Sequence, residues 1–273
     1  MPVYQAIVLA VVQGVTEFLP ISSTGHLVLF PWFLGWKDPG LTFDVALHAG
    51  TLLAVFVYFW RMWVDMIKAA AGLGGASHEE VREHRRLFWL LVLGTIPGAI
   101  AGVLFEKKAD TAFRNPLVIG IALIVVALVM WAGEKITRDT ESLEEVSVLD
   151  AVVVGFAQAF AVIPGVSRSG STMSVGLLRD MKRETSARFS FLLSTPIIAG
   201  AVLFKAREVH KAGGLPHDMR APFLAGVIVS AVVGFFVIGW LIRFLETRTF
   251  KGFVIYRIAL GVLVLALGLG LHR

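Results

Sequence analysis

The sequence contains no cysteine and few charged residues. The absence of cysteine excludes disulfides, thiolate metal sites and a cysteine nucleophile. Only 16% of the 273 residues are charged and 56% are hydrophobic, whereas about a quarter of the residues are charged in soluble domains. This composition predicts a membrane protein. The first 36 residues also lack a basic n-region and a small-residue cleavage site, so we expect them to remain in the mature protein.

Six apolar stretches are long enough to cross a bilayer, which takes about 20 mostly apolar residues per helix. They are residues 41–60, 87–105, 116–133, 186–204, 222–242 and 253–271. The intervening segments, such as 77–86 and 134–147, carry charges and are predicted to be loops. Basic residues in cytoplasmic loops account for the net charge of +5 without a role in nucleic-acid binding.

Two further apolar segments are each interrupted by a polar stretch that contains proline and glycine. The segment 3–36 is broken by F-L-P-I-S-S-T-G-H, and the segment 148–178 is broken by I-P-G-V-S-R-S-G-S-T. Irregular backbone at membrane depth is tolerated only beside protein or a water-filled cavity. The two segments are therefore predicted to form re-entrant helical hairpins.

The two breaks resemble each other. Both contain S-x-[S/T]-G after a proline, as S-S-T-G at 22–25 and S-R-S-G at 167–170, and each precedes three predicted spans. An odd number of crossings inverts the next copy, which predicts an inverted-topology repeat with its site where the breaks meet. Chance similarity between two Ser/Gly loops is the alternative. The predicted fold is an all-α polytopic membrane protein of one domain, 1–273, with repeats of about 1–135 and 148–273.

The distribution of lysine and arginine predicts the orientation. More of them lie in the segments 61–86, 134–147, 179–188 and 243–252 than on the opposite side of the membrane. The positive-inside rule places these segments in the cytoplasm and both termini outside it.

Glu17, His26 and Arg168 lie at or beside the two breaks. An ionised side chain near the bilayer centre costs roughly 3 kcal/mol on insertion scales, so it usually has a partner or a function. An ion pair that only joins the two breaks is the structural alternative. We favour a functional role because ion pairing alone does not require so many neighbouring hydroxyl groups.

The residues of both breaks suit phosphate binding. Arg168 has a planar fork of donors that matches phosphate oxygens, and Gly25 and Gly170 allow backbone N–H groups to approach an anion at a helix start. Hydroxyl donors flank these residues: Ser22, Ser23, Thr24, Ser167, Ser169, Ser171 and Thr172.

Glu17 and His26 add a carboxylate and an imidazole. Glu17 lies four residues after Gln13 and therefore on the same helical face. One carboxylate together with substrate phosphate oxygens is a common way to hold Mg²⁺ or Ca²⁺. His26 can transfer a proton near neutral pH or attack phosphorus. This combination is typical of phosphoryl transfer, which depends mostly on positioning and charge stabilisation.

The segments Q-G-V-T-E-F-L-P-I-S-S-T-G-H (13–26) and P-G-V-S-R-S-G-S-T (164–172) resemble the two signature motifs of the undecaprenyl pyrophosphate phosphatases of the BacA/UppP family. The resemblance extends over essentially the whole chain. It implies a multi-pass enzyme of the bacterial cytoplasmic membrane that hydrolyses undecaprenyl pyrophosphate to undecaprenyl phosphate, which recycles the lipid carrier for peptidoglycan. It further implies a divalent metal, a site that opens to the periplasmic or extracellular side, a homodimer, and bacitracin resistance on overexpression.

The resemblance also implies roles for individual residues. Glu17 corresponds to the metal-associated acid, His26 to the catalytic histidine, and Ser167 and Arg168 to the serine and the phosphate-clamping arginine of the second motif. Many members have glutamate where this chain has Gln13, so Gln13 can act neither as a general base nor as a charged metal ligand. The residues predicted to contact the substrate are Gln13, Ser22, Ser23, Thr24, Gly25, Ser169, Gly170 and Thr172.

Several questions stay open at the level of sequence. Ser167, His26 or a metal-activated water could be the nucleophile for in-line attack on the terminal phosphorus. A transporter or flippase of a lipid phosphate or small anion is the rival function, because inverted repeats with broken helices are also typical of transporters. His48 either faces the pocket or packs between helices. Arg257 either neutralises an acidic residue, which is the structural role that we favour slightly, or touches phosphate.

Overall fold

A computed structural model describes residues 1–73, 77–110 and 112–270, and these residues are almost entirely helical. Six of the described helices are long and apolar enough to span a membrane. They are α3 (Leu41–Tyr58), α5 (His78–Asp110), α6 (Pro116–Ile136), α9 (Arg183–Lys211), α10 (His217–Thr247) and α11 (Lys251–Gly270). The six predicted spans are confirmed, and the chain is a polytopic membrane protein.

The two interrupted segments form pairs of short helices. The first pair is α1 (Val3–Thr16) and α2 (Ser23–Leu34), and the second is α7 (Val148–Ala159) and α8 (Arg168–Leu178). A 3₁₀ turn, Phe160–Val162, follows α7. At 1.5 Å per residue these helices are roughly 16–21 Å long, which is less than the thickness of the hydrocarbon core, about 30 Å. None of the four can cross a bilayer alone.

Both second halves begin with the same local structure. Ser22 and Ser167 are the N-cap residues of α2 and α8, with φ of 78° and 71°. In each case the serine Oγ accepts a hydrogen bond from the glycine N–H three residues later, from Gly25 in α2 and from Gly170 in α8. A non-glycine residue with positive φ is uncommon and marks a conformation that the surroundings impose.

Close helix contacts place the short helices against the spans. Helix α1 packs on α10, α7 packs on α5, and α8 packs on α6. A Cβ added to Gly155 of α7 would lie 2.4 Å from the carbonyl oxygen of Gly94 in α5, so only glycine allows this approach. Small residues at helix contacts are typical of membrane proteins, where van der Waals packing drives association.

The prediction of loops at the charged segments is partly wrong. Residues 78–86, predicted to be loop, form the start of α5, and residues 61–70 belong to α4 (Trp60–Ala70). Charged residues do not end a helix outside the bilayer, where water solvates them and Glu, Arg and Lys are good helix formers. Helix α4 is amphipathic, with Trp63, Met66 and Ala69 buried, and this burial explains why it forms.

Candidate active site

An ion pair between Glu17 and Arg168 joins the two breaks. Glu17 directly follows α1, Arg168 is the first residue of α8, and 151 positions separate them in the chain. Arg168 Nη2 lies 2.9 Å from Glu17 Oε1, and the two side chains are 11% and 4% exposed. The structure thus brings together the two charged residues that the sequence predicts to meet. Because both charges are desolvated, removal of either leaves the other with a large energetic penalty.

Three further groups surround the other oxygen of Glu17. Oε2 accepts hydrogen bonds from Ser23 Oγ at 2.6 Å and from Gln13 Nε2 at 3.1 Å. His48 Nε2 lies 3.2 Å from the same oxygen. Gln13 and Ser23 therefore lie at the site and bind the Glu17 carboxylate, and their contact with the substrate stays a prediction.

His48 is the residue of this cluster that the sequence left undecided. Its Nε2 faces the Glu17 carboxylate, and its Nδ1 lies 2.7 Å from the carbonyl oxygen of Asp44 one turn earlier in α3. Both partners are acceptors, and a proton on each ring nitrogen satisfies both contacts. In that state His48 and Arg168 place two cations against one carboxylate, which suits an anionic substrate.

Arg168 retains donors that can bind a substrate. Its Nη1 lies 2.8 Å from the carbonyl oxygen and 3.2 Å from Oγ of Ser190 in α9. Thr172 Oγ1 lies 2.7 Å from the same Ser190 Oγ and accounts for the position of that hydroxyl. Arg168 Nε has no hydrogen-bond partner among the described residues. A guanidinium has five N–H donors, and the Nε–H of Arg168 is the one whose nitrogen has no partner in this part of the protein.

The serine hydroxyls of the breaks connect the two segments to each other. Ser22 Oγ accepts hydrogen bonds from Gly25 N at 3.2 Å and from Gly165 N, in the other break, at 3.0 Å. Ser169 Oγ donates to the carbonyl of Leu19 at 3.0 Å and lies 3.2 Å from Ser167 Oγ. These hydroxyls therefore fix the backbone around the ion pair, which is a structural function.

The N–H groups of Gly25 and Gly170 already donate hydrogen bonds within the protein. Each donates to the N-cap serine of its own helix, Ser22 or Ser167, so the approach of an anion to these groups stays a prediction. A Cβ at Gly170 would lie 2.9 Å from Ser167 Cβ and 3.0 Å from Arg257 Nη1. Close packing therefore requires glycine there. Thr24 is half-buried, and its hydroxyl makes no hydrogen bond within the described ranges.

His26 lies in α2 and contacts neither Glu17 nor Ser167 by a hydrogen bond among the described residues. Its Nδ1 is 2.7 Å from the carbonyl oxygen of Ser22, and its Nε2 is 2.7 Å from the hydroxyl of Tyr256 in α11. The carbonyl requires a proton on Nδ1, so in the neutral ring Nε2 accepts a hydrogen bond from Tyr256. The two rings are stacked with centroids 5.8 Å apart. The lone pair available for chemistry is thus on Nε2.

Arg257 in α11 is fully buried and binds backbone carbonyls only. It donates to Pro20 at 3.0 Å in the first break, and to Gly165 at 2.8 Å and Val166 at 3.1 Å in the second. It also donates to Leu123 in α6 at 3.2 Å. Among the described residues its hydrogen-bond partners are carbonyls and no acidic side chain pairs with it. The favoured prediction that Arg257 neutralises an acid is therefore wrong, and its role is to bind backbone carbonyls.

A divalent cation is predicted at Glu17, but both oxygens of this carboxylate already contact protein donors, Arg168 at Oε1 and Ser23, Gln13 and His48 at Oε2. In the described ranges no group of three or more histidine, cysteine, aspartate or glutamate side chains could hold a metal ion. Glu17 is the one carboxylate of the cluster, and Gln13 Oε1 is buried without a hydrogen-bond partner. A single carboxylate plus substrate phosphate oxygens is a typical environment for Mg²⁺.

Sequence reasoning missed Ser190 and Tyr256 and left His48 undecided. Asp44 and His48 lie four residues apart in an apolar span, and this pattern was the available signal for a polar face. Ser190 and Tyr256 lie in helices predicted to be spans, where a hydroxyl has no distinguishing pattern.

Comparisons with known proteins cover nearly the whole chain. A family profile described as "Bacitracin resistance protein BacA" matches residues 6–263. The "Undecaprenyl-diphosphatase" of Moorella thermoacetica is 52% identical over 267 residues, which are 97% of this chain and 98% of that protein. Proteins with the same name from Pelotomaculum thermopropionicum and Gemmatimonas aurantiaca are 48% and 47% identical, and each alignment covers at least 97% of both chains. The two motifs meet at the Glu17–Arg168 pair, and the family profile matches nearly the whole chain. The chain therefore belongs to the bacitracin resistance protein BacA family.

Proposed function

We propose that this chain is an undecaprenyl-diphosphatase that hydrolyses undecaprenyl pyrophosphate to undecaprenyl phosphate and inorganic phosphate. The observation that carries the proposal is the buried Glu17–Arg168 pair, in which Nε–H of Arg168 has no partner among the described residues. The relatives named "Undecaprenyl-diphosphatase" support the same reaction. The product is the lipid carrier for cell-wall synthesis, and the enzyme works in the bacterial cytoplasmic membrane.

The proposal includes two re-entrant hairpins related by an inverted repeat, with repeats of about 1–135 and 148–273. Matching features support it: each pair of short helices surrounds a break, and each second helix begins at a serine with positive φ that caps the glycine three residues later. Helix α1 packs on α10 and α7 packs on α5, so each first half contacts the middle span of the other repeat. The site lies where the breaks meet.

The site is proposed to open to the periplasmic or extracellular side, with both termini outside the cytoplasm. The excess of lysine and arginine in the segments 61–86, 134–147, 179–188 and 243–252 supports this orientation. A homodimer stays a proposal that rests on the family resemblance.

In the proposed reaction the terminal phosphate accepts a hydrogen bond from the Nε–H of Arg168. Arg168 and His48 together stabilise the negative charge that accumulates on the phosphate oxygens, and Glu17 orients both cations through contacts of 2.9 and 3.2 Å. Preorganised charges of this kind require no rearrangement during the reaction. Ser23 and Gln13 hold the carboxylate in place.

Three nucleophiles are compatible with this arrangement. Attack by Ser167 Oγ or by His26 Nε2 forms a covalent phosphoenzyme that water then hydrolyses, whereas attack by water forms none. Rapid quenching after addition of substrate labelled in its terminal phosphate distinguishes them. Label on Ser167 or His26 identifies the nucleophile, and the absence of label under burst conditions supports water.

A divalent cation, Mg²⁺ or Ca²⁺, is part of the proposal. Glu17, with the unpartnered Oε1 of Gln13, would hold it together with substrate oxygens. When bound, such an ion supplies positive charge that neutralises the pyrophosphate and its leaving group.

We expect detergent-purified protein to release inorganic phosphate from undecaprenyl or farnesyl pyrophosphate, and we expect EDTA to abolish the release. The released phosphate is measured colorimetrically, with reconstituted vesicles as a second format. If wild-type protein releases no phosphate but moves a lipid phosphate between leaflets, the enzymatic function is wrong and the transporter is supported. Release that EDTA does not affect would remove the metal from the proposal only.

Tyr256→Phe should lower kcat about fivefold and leave KM nearly unchanged, because loss of one net hydrogen bond corresponds to roughly 1 kcal/mol. The hydroxyl of Tyr256 binds Nε2 of His26, so its removal changes the orientation of the imidazole and not the affinity for substrate. Initial rates with farnesyl pyrophosphate test this. Tyr4→Phe, an exposed tyrosine in α1, is the matched control. Equal kcat values for the two variants would contradict a positioning role for Tyr256.

A further inference from the structure

A second cavity, of about 460 Å³, is open to the outside and lies between helices at a distance from the Glu17–Arg168 cluster; its lining combines charged and apolar residues. Its walls come from the last turn of α3 with Tyr58, the first turn of α4 with Arg61, the start of α5 with His84, and Arg188 of α9. The volume is within the range of small-molecule sites. All four elements belong to the end of the molecule that the lysine and arginine distribution places at the cytoplasmic face.

The cavity contains more cationic than anionic groups. Arg188 is half-buried, and it has neither an ion pair nor a hydrogen bond among the described residues. The guanidinium of Arg61 lies 5.4 Å from the ring centroid of Trp60 and likewise has no ion-pair partner within the described ranges. Asp65 is the single acidic residue of the lining. Because a partly desolvated arginine without a counter-ion is costly, such a residue indicates an anionic ligand.

This cavity is separate from the candidate active site. His48, which contacts Glu17, precedes Tyr58 by ten residues in α3, a distance of roughly 15 Å along a helix axis. Arg188 lies two positions before Ser190 in α9, and residues two apart in a helix do not face each other. Ser190 therefore faces Arg168 while Arg188 faces the second cavity.

The rim of the cavity has the composition of a membrane interface. Tyr58 and Trp60 line it together with Arg61, and tyrosine and tryptophan are enriched at the level of the lipid headgroups. Helix α4 has a buried apolar face and begins at this rim. Basic pockets of this kind between transmembrane helices suit the phosphate of a lipid headgroup.

We infer that the cavity lined by Arg61, His84 and Arg188 is a binding site for a phosphate group, supplied by the headgroup of an anionic lipid in the cytoplasmic leaflet. Arg188 and Arg61 bind the phosphate oxygens, and the aromatic residues of the rim contact the glycerol and upper acyl region. Free inorganic phosphate has the same chemistry as the headgroup and is the other possible source. The inference does not depend on the phosphatase reaction.

Native mass spectrometry of the detergent-solubilised full-length protein tests the site. The probes are phosphatidylglycerol, phosphatidylcholine as the neutral-headgroup comparison, and inorganic phosphate. The variants are Arg188→Gln and Arg61→Gln, and the matched control is Arg85→Gln, an exposed arginine of α5 outside the cavity lining. Arg61 is exposed, so its replacement is not expected to affect folding even if Arg188→Gln does.

We expect phosphatidylglycerol to bind more tightly than phosphatidylcholine, and each cavity variant to weaken that binding about tenfold through loss of a charge-assisted contact. Arg85→Gln should bind as wild type does. Binding of inorganic phosphate with the same dependence on Arg61 and Arg188, without a preference for phosphatidylglycerol, would support the phosphate site and assign it to the free anion. Equal binding by the cavity variants and Arg85→Gln would overturn the inference.

Discussion

Replacement of Arg168 by lysine should lower kcat/KM by about 10³-fold, because loss of one preorganised donor group to a reacting anion typically costs 10²–10³ in rate. Lysine keeps the charge but has no planar fork, so it cannot bind Glu17, Ser190 and a phosphate oxygen at the same time. The measurement is phosphate release from farnesyl pyrophosphate over a range of substrate concentrations. A lysine variant with wild-type kcat/KM would contradict the assignment of Arg168 to the phosphate.

A double variant separates catalysis from folding at the same residue. Arg168→Gln leaves Glu17 buried with His48 as its remaining cationic partner, and breaking a buried ion pair costs about 3–5 kcal/mol. Glu17→Gln/Arg168→Gln removes both charges and should recover most of the unfolding temperature without recovering activity. If the double variant regains phosphatase activity, the pair serves only to connect the two breaks.

The sequence was sufficient to predict the spans and the meeting of the two breaks. Apolar runs of spanning length correspond directly to a physical requirement of the bilayer, and all six are found as helices. The pairing of Glu17 with Arg168 follows from the high cost of an unpaired charge at membrane depth. Both predictions rest on large free-energy costs, which only a few arrangements of the chain avoid.

The partners supplied by the long helices could not be predicted. His48 contacts Glu17 because of the rotation of α3 about its own axis. Asp44 and His48 indicate a polar face of α3, but one sequence does not show which segment that face meets. The same holds for Tyr256, whose hydroxyl binds His26 from α11. Hydrogen bonds of this kind are worth about 1 kcal/mol each, so they follow from the helix packing and do not determine it.

Arg257 explains how two irregular segments hold a defined geometry inside the membrane. Proline and positive-φ serine prevent helical hydrogen bonding in both breaks and leave the carbonyls of Pro20, Gly165 and Val166 without helical partners. Arg257 donates to all three from α11. An unsatisfied polar group costs several kcal/mol in hydrocarbon. The guanidinium of Arg257 supplies the hydrogen-bond donors that water would supply to these carbonyls outside the membrane. The carbonyls that it binds lie three residues after Glu17 and two and three residues before Arg168.

Arg257→Met should therefore be the most destabilising single substitution outside the ion pair. Methionine occupies much of the same volume but donates no hydrogen bond, and several buried carbonyls lose their partner at about 1–3 kcal/mol each. We expect a lower yield of monodisperse protein and a fall of several degrees in the unfolding temperature, measured by tryptophan fluorescence in detergent. The unfolding temperature of Arg257→Lys should lie between those of the wild type and Arg257→Met, because one ammonium group can reach only some of these acceptors. Arg243→Met, at an exposed position of α10, is the matched control. An unfolding temperature for Arg257→Met equal to that of the control would mean that the breaks are stabilised by the serine caps and the Glu17–Arg168 pair alone.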